Sequence, residues 1–224
     1  MPQNVPMPTD LKIDFVSDIS CPWCAIGLAS LEQALQRLGS EVRAQVHIQP
    51  FELNPAIAPG GEDITAHLTR KYGTTPEQQA ASREAIRQRG AQVGFEFRKE
   101  GRGRIYNTFD AHRLLHWAGL EGADSQHSLK NALFAAYFTQ GRNMEDHEVL
   151  VQAAAAAGLD PERAREVLAS GAHADEVREQ ERFYTERGIQ AVPAVVINDR
   201  HLIQGGQPPE VFEQALRRLA AAPG

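Results

Sequence analysis

Two cysteines constrain this chain more than any other feature. In the run Ser17-Asp18-Ile19-Ser20-Cys21-Pro22-Trp23-Cys24 they stand on either side of a Pro-Trp pair, where one hydrophobic period gives way to another. Upstream, Leu11, Ile13 and Phe15 alternate with Lys12 and Asp14, the period-two pattern of a strand. Downstream, Leu28, Leu31, Leu35 and Leu38 recur at three- and four-residue steps, one face of an α-helix running from Ala25 to Leu38. Pro22 suits the first helical position, where its missing N–H costs nothing. Cys21 is therefore expected at the helix mouth, near unpaired N–H groups and the positive end of the helix dipole. That setting favours a thiolate and marks Cys21 as a nucleophile, with Cys24 one turn deeper and within disulfide reach. Strand, CxxC and helix in this order read as a thiol–disulfide exchange site.

The rival reading is zinc. Tetrahedral zinc needs four ligands, of which Cys21 and Cys24 supply two. His112 and His116, an i, i+4 pair on a predicted helix, complete a set on paper. They lie far downstream, however, and no compact finger surrounds them. The expected metal content is none.

The 224 residues are long for one simple domain, and a 42% hydrophobic content suffices for a core. A net charge of −6 argues against nucleic acid or an anionic membrane surface as the main partner. Residues 1–10 are proline-rich and polar, without the basic and apolar regions of a signal peptide, and no apolar run is long enough to span a membrane. The expected location is cytoplasmic, where a lasting structural disulfide is unusual and a transient catalytic one is not.

Along the chain, Gly39 and Ser40 end the first helix. Val42, Ala44, Val46 and Ile48 then alternate with polar residues as a second strand, completing a βαβ unit with parallel strands. Asn54 to Gly61 is a loop by composition. From Asp63 to about Arg187 the pattern predicts helices only. One runs from near Asp63 to Gly73, and the next opens at the capping box Thr75-Pro76-Glu77-Gln78 and ends by Gly94. The others cover Asn107 to Trp117, Leu129 to Tyr137, Glu148 to Ala157, one capped by Asp160-Pro161, and His173 to Arg187. Between them, Arg98 to Arg104 reads as a basic, glycine-broken loop, either solvated or a carboxylate-binding rim. The β pattern returns at Ala194 to Ile197, turns at Asn198-Asp199 and continues through Leu202 to Gln204. Val211, Phe212, Ala215, Leu216 and Leu219 give a last amphipathic helix. The order predicts a small mixed sheet with a helical block inserted in its middle.

Cys-Pro-Trp-Cys at the first helix, with Ala191-Val192-Pro193-Ala194 ahead of the third strand, resembles the thioredoxin fold of the DsbA family. Ser17-Asp18, Pro50-Phe51-Glu52-Leu53-Asn54-Pro55, Asn107-Thr108 with Ala111-His112-Arg113-Leu114, and Leu133-Phe134-Ala135-Ala136-Tyr137-Phe138 resemble its FrnE-like branch. The resemblance spans nearly the whole chain. It implies an α/β, thioredoxin-like fold with a large all-helical domain inserted between the βαβ and ββα halves. Residues 1–60 and 188–224 would form the thioredoxin-like domain and residues 61–187 the insertion.

The resemblance also implies roles. Pro193 would be a cis-proline facing the CxxC, and Val192 would offer its backbone to a substrate strand. His112 would lie over the site, moving a proton or holding the thiolate, or else be hydrogen-bonded between packed helices. Asn107 would orient a substrate carboxylate or cap its helix, and Pro22 and Trp23 would belong to the substrate surface. Gln207 sits in Gly205-Gly206-Gln207, where the branch has Gly-Ala-Gln. The implied function is a cytosolic thiol–disulfide oxidoreductase, working through a mixed disulfide on protein or low-molecular-weight thiols and disulfides. It needs no cofactor beyond its redox-active disulfide. The alternative within the superfamily is a glutathione-dependent 2-hydroxychromene-2-carboxylate isomerase or kappa-class transferase, with glutathione as co-substrate; those proteins carry serine at the position of Cys21. Between the cysteines periplasmic DsbA has proline and histidine. The uncharged Trp23 here leaves the helix N-terminus as the main stabiliser of Cys21, predicting a pair nearer the reducing end.

Overall fold

The structure, a computed structural model, describes residues 8–221, so most of the proline-rich segment read in residues 1–10 lies outside it. The central strand β1 (Thr9–Ser17) runs parallel to β2 (Val42–Pro50), in a register that pairs Thr9 with Val42 and Ser17 with Pro50. On its other side β1 pairs antiparallel with β5 (Ala194–Ile197), which pairs with β6 (His201–Gln204); the order is β2-β1-β5-β6. Being central, β1 is buried on both faces: Ile13, Phe15 and Val16 are each fully enclosed. Asn198 and Asp199 take positive φ angles of 51° and 56°, the turn geometry that Asn-Asp between strands predicts.

Helix α1 (Pro22–Leu38) packs one face of the sheet beside α9 (Pro209–Ala221), which buries Phe212 and Leu216. Burying Leu28, Leu31 and Leu38 stabilises the fold by about 1.5–3 kcal/mol for each side chain. Between β2 and β5 come α2 (Ile64–Tyr72), α3 (Pro76–Gln92), α4 (Phe109–Glu121), α5 (Ala123–Phe134), α6 (His147–Ala156), α7 (Pro161–Ser170) and α8 (Ala174–Glu186). The Thr75–Gln78 capping box forms as predicted, and Gly73 ends α2 in a left-handed conformation.

Three expectations need amending. The insertion is not all helical: β3 (Glu62–Asp63) and β4 (Arg104–Ile105) pair in a two-residue antiparallel ladder, too short to leave a period in the sequence. Helix α4 starts two residues after Asn107 and continues to Glu121, and α5 begins directly after Gly122, so the helix read from Leu129 starts earlier. After Phe134 the chain widens into a π-turn over Ala135–Thr139. The two sequence-level domains also share one core. A continuous apolar cluster links Phe15, Cys24 and Leu28 to Leu114, Leu133, Phe134 and Leu150.

Two polar side chains fasten the insertion. Gln126 on α5 behaves like a piece of strand at the edge of β2, accepting from the Ile48 N–H at 2.9 Å and donating to its carbonyl at 3.1 Å. Arg113 on α4, 3% exposed, donates to the carbonyls of Val167 and Leu168 at the end of α7 and to that of Ala172 beyond it, where a cation complements unpaired carbonyls.

Candidate active site

Cys21 is the N-cap residue of α1, with extended backbone angles, and Pro22 is the first helical residue. Both cysteines are free thiols and buried, Cys21 4% exposed and Cys24 not at all. Cys21 Sγ faces the carbonyl of Val192 at 3.6 Å. The Val192–Pro193 bond is cis, as the resemblance implied. Gly27 of α1 lies so close to Pro193 that a Cβ there would stand 3.0 Å from Pro193 Cγ. Gly206 is equally tight: a Cβ would stand 2.9 Å from the Trp23 carbonyl and 3.3 Å from its ring. Two glycines thus let α1, the proline segment and the Gly205-Gly206 loop close on one another.

A groove of about 590 Å³ opens onto the motif, lined by Cys21, Pro22, Trp23, Lys71, Arg102 and Val192 among others. Trp23 is 41% exposed and forms part of its rim rather than a cover over the sulfurs. Beside it lies a smaller, mainly apolar pocket of about 100 Å³, where Ile64, Phe97 and Phe138 meet and Pro22, Leu68, Ile86 and Arg102 are shared with the groove.

His112 was expected over the site or between packed helices, Asn107 at a substrate carboxylate or as a helix cap, and Gln207 at the substrate surface. His112, 2% exposed, is turned inward with Nε2 3.4 Å from Asp18 Oδ1, because α4 packs that face onto the β1–α1 turn. Asn107 is scaffold: its Oδ1 accepts from the Phe109 N–H at 2.9 Å and its amide donates to the Pro55 carbonyl at 3.3 Å, fixing the entry to α4. Gln207 folds back to donate to the Gln204 carbonyl at 2.8 Å. His116, drawn above as a zinc ligand, stacks on His173 with ring centroids 5.0 Å apart and faces Gln180.

The structure brings in three charged residues for which the sequence suggested no catalytic role. Asp18, 1% exposed, accepts from the Ser20 N–H and hydroxyl, the Leu53 N–H at 2.7 Å and the Thr108 hydroxyl at 2.8 Å. Burial opposes its ionisation, but His112, Leu53 and Ser20 outweigh burial and hold the carboxyl below the usual carboxylate range. Arg102, from the basic loop, donates to the Ser20 carbonyl and lies over the Tyr137 and Phe138 rings, at 5.8 and 5.6 Å. Lys130 on α5 is completely buried.

These surroundings separate the two thiols. Cys21 is drawn below the ordinary cysteine value, first by hydrogen bonding from Cys24 and then, against burial and the Asp18 charge, by the Cys24 N–H and Arg102. Burial first, and then the neighbouring Cys21, push Cys24 well above it. The pair thus offers an acidic sulfur at the groove and a weakly acidic one beneath, the order that exchange through an outer nucleophile requires.

A sheet of order β2-β1-β5-β6 with a dithiol at the N-terminus of α1 and a cis-proline opposite defines a thioredoxin-fold protein. Residues 12–217 match the DSBA-like thioredoxin domain family, and the chain belongs to that family, whose members are oxidoreductases or isomerases. It is 27% identical over 207 residues to the uncharacterized protein YwbO of Bacillus subtilis, covering 92% of this chain and 96% of that one. Among solved structures it resembles a probable DsbA oxidoreductase, SCO1869, from Streptomyces coelicolor, with 36% identity and a TM-score of 0.87 over 96% of this chain and 92% of that one. It also shares the fold of the cytosolic disulfide reductase DsbM from Pseudomonas aeruginosa, solved with glutathione. The TM-score there is 0.64 at 16% identity, over 94% of this chain and 100% of that one. Among the described residues no helix is long and apolar enough to cross a membrane.

Proposed function

We propose that this protein is a cytosolic thiol–disulfide oxidoreductase of the FrnE-like branch, working through Cys21 and Cys24 with a mixed-disulfide intermediate. The carrying observation is the division between the sulfurs: Cys21 at the groove against the Val192 carbonyl, Cys24 fully enclosed behind it. The Cys21 thiolate attacks a substrate disulfide and one substrate thiolate leaves. Cys24 then attacks the Cys21 sulfur, closing the Cys21–Cys24 disulfide and releasing the second substrate thiol. Run in reverse, the same steps oxidise a dithiol.

The substrate class is a protein or low-molecular-weight disulfide whose flanking backbone lies along Val192. The groove is wide enough for a short peptide, and the adjoining apolar pocket suits one of its side chains. Lys71 and Arg102 donate to carbonyl and amide oxygens rather than to a carboxylate among the described residues, which suits substrates bearing a carboxylate. The same cations support a second reading, a glutathione-dependent isomerase or transferase in which Cys21 meets bound glutathione and Cys24 takes no part. Insulin reduction by dithiothreitol separates the two, being accelerated under the first reading and not under the second. Mass spectrometry after exposure to oxidised glutathione is expected to find a stable adduct on Cys24→Ser and none on Cys21→Ser; the opposite pattern reverses the roles of the sulfurs.

A further inference from the structure

Lys130 has no evident reason to be where it is. Its side chain is wholly enclosed, and among the described residues Nζ has no hydrogen-bond partner. Buried amines are almost always paired, so an exception calls for an explanation. It lies over the face of the Phe134 ring, 4.8 Å from Nζ to the centroid. Helix α5 is held rigidly around it. Gln126, one turn earlier, is bonded to β2, and His127 and Asn131 both bond Glu32 of α1, at 2.7 Å for Asn131. Glu32, the carboxylate through which α1 meets this face of α5, is thereby occupied by those two residues. The charged and titratable groups whose fields reach Nζ are Cys24 most strongly, then Asp18, then Cys21. Asp18 is already engaged by Ser20, Leu53, Thr108 and His112, and Arg102 lies on the Cys21 side.

Cys24 presents the complementary problem. To attack a mixed disulfide it must lose a proton, yet it has no exposed surface through which to lose it. Ionising it alone would leave an isolated charge in the core, whereas transfer to a buried base creates an ion pair. We propose that the buried amine of Lys130 takes up the proton that Cys24 loses when it resolves the mixed disulfide. This rests on the dithiol reading above. In its neutral form, whose share grows as the pH rises through about 8, the amine has an unengaged lone pair, accepts the Cys24 proton and becomes an ammonium. The Cys24 sulfur forms its bond to Cys21, the Cys21–substrate bond breaks, and the substrate leaves as a thiolate that is protonated from water. Cys24 is oxidised and the substrate sulfur reduced. The ammonium, as enclosed as the thiol it replaced, returns its proton to Cys24 when the disulfide is reduced again. Burial keeps the amine available, pulling its pKa from 10.5 down to about 8.

The test uses the full chain, reduced, in stopped flow with the aromatic disulfide dithiobis(nitrobenzoate). Attack by Cys21 releases one coloured thionitrobenzoate in a concentration-dependent phase; attack by Cys24 releases the second in a concentration-independent one. In the wild type the second phase is expected to rise with pH through a midpoint near 8. In Lys130→Met, which keeps the volume and removes the base, the first phase should be unchanged. The second should slow about tenfold or more at pH 8, its midpoint moving upward to that of an unassisted thiol. A wild-type midpoint far above 8, or a second phase in Lys130→Met with wild-type rate and midpoint, overturns the proposal. The wild-type profile decides the matter even if the variant fails to fold. Absence of any second release from the wild type instead defeats the dithiol reading itself.

Discussion

The two sides of the first turn of α1 are different solvents for the same chemical group. Toward the groove, Cys21 meets a carbonyl, an arginine and the end of a helix, and its thiol is made more acidic. Three residues on, Cys24 meets the apolar core, and its thiol is made less acidic. Spacing explains none of this. What separates the sulfurs is that the Val192 segment and Arg102 of the insertion supply the outer surroundings while the apolar core shared by the two halves closes the inner ones. A dithiol is useful for exchange when its members differ in this way, since the outer sulfur must leave solution as an anion and the inner one must wait.

The contrast should break most severely at Asp18, which ties the motif to β2 and α4. Asp18→Ala leaves four N–H or O–H groups without their acceptor, removes the charge facing His112, and is expected to cost about 3–5 kcal/mol, read by urea denaturation. Because the folded carboxyl is held below its unfolded value, its contribution is complete above about pH 4 and is lost as the pH falls further; the wild-type and Asp18→Asn stabilities should therefore converge in acid.

Lys130→Met should act in the opposite direction. A folded-state value of about 8 against 10.5 means that the folded protein carries a penalty of about 3 kcal/mol wherever the amine is charged, below pH 8. The variant is expected to melt higher than the reduced wild type at pH 7, and the gap should close as the pH rises from 8 towards 10.

Arg102→Gln is expected to have a smaller effect, confined to the outer sulfur. Removing the guanidinium raises the Cys21 pKa, so the first attack should slow about two- to fivefold at pH 6–7 and recover at alkaline pH, where the sulfur is ionised in either protein. Unchanged rates at pH 6 would remove Arg102 from the site. The smallest effect concerns direction. Arg102 and Asp18 act on Cys21 with opposite sign, leaving hydrogen bonding from the Cys24 thiol and N–H as the main stabiliser of the thiolate. Reduced and oxidised forms should therefore melt within a few degrees of each other; a reduced form melting far higher would mark a strong oxidant.

Much of this architecture was legible because it is written in short-range rules. Alternation in β1, the leucine steps of α1, the Thr75–Gln78 box and the Asn198-Asp199 turn each depend on neighbours within a few positions. The inner half of the site depends on contacts between distant segments. Arg102 belongs to a loop that composition makes look solvated, and only the fold of α2, α3 and β4 brings it to Ser20. His112 was expected at the active site by resemblance, but the packing of α4 decides that it faces Asp18. Lys130 did leave a trace: it shares an apolar face with Leu133, Phe134 and Tyr137 at three-, four- and seven-residue steps, and a lysine in that row is out of place.

The way Gln126, His127 and Asn131 clasp the sheet half has a further consequence. The sulfurs belong to one segment of the chain and the groups that set the proton traffic of the inner one belong to another, joined by these side-chain bonds and the apolar core they share. Turning or sliding α5 by a fraction of a turn would retime the second step of exchange while leaving the first untouched. Helix α5 is thus a tuning peg, by which substitutions far from Cys21 and Cys24 can alter how long a trapped partner stays attached.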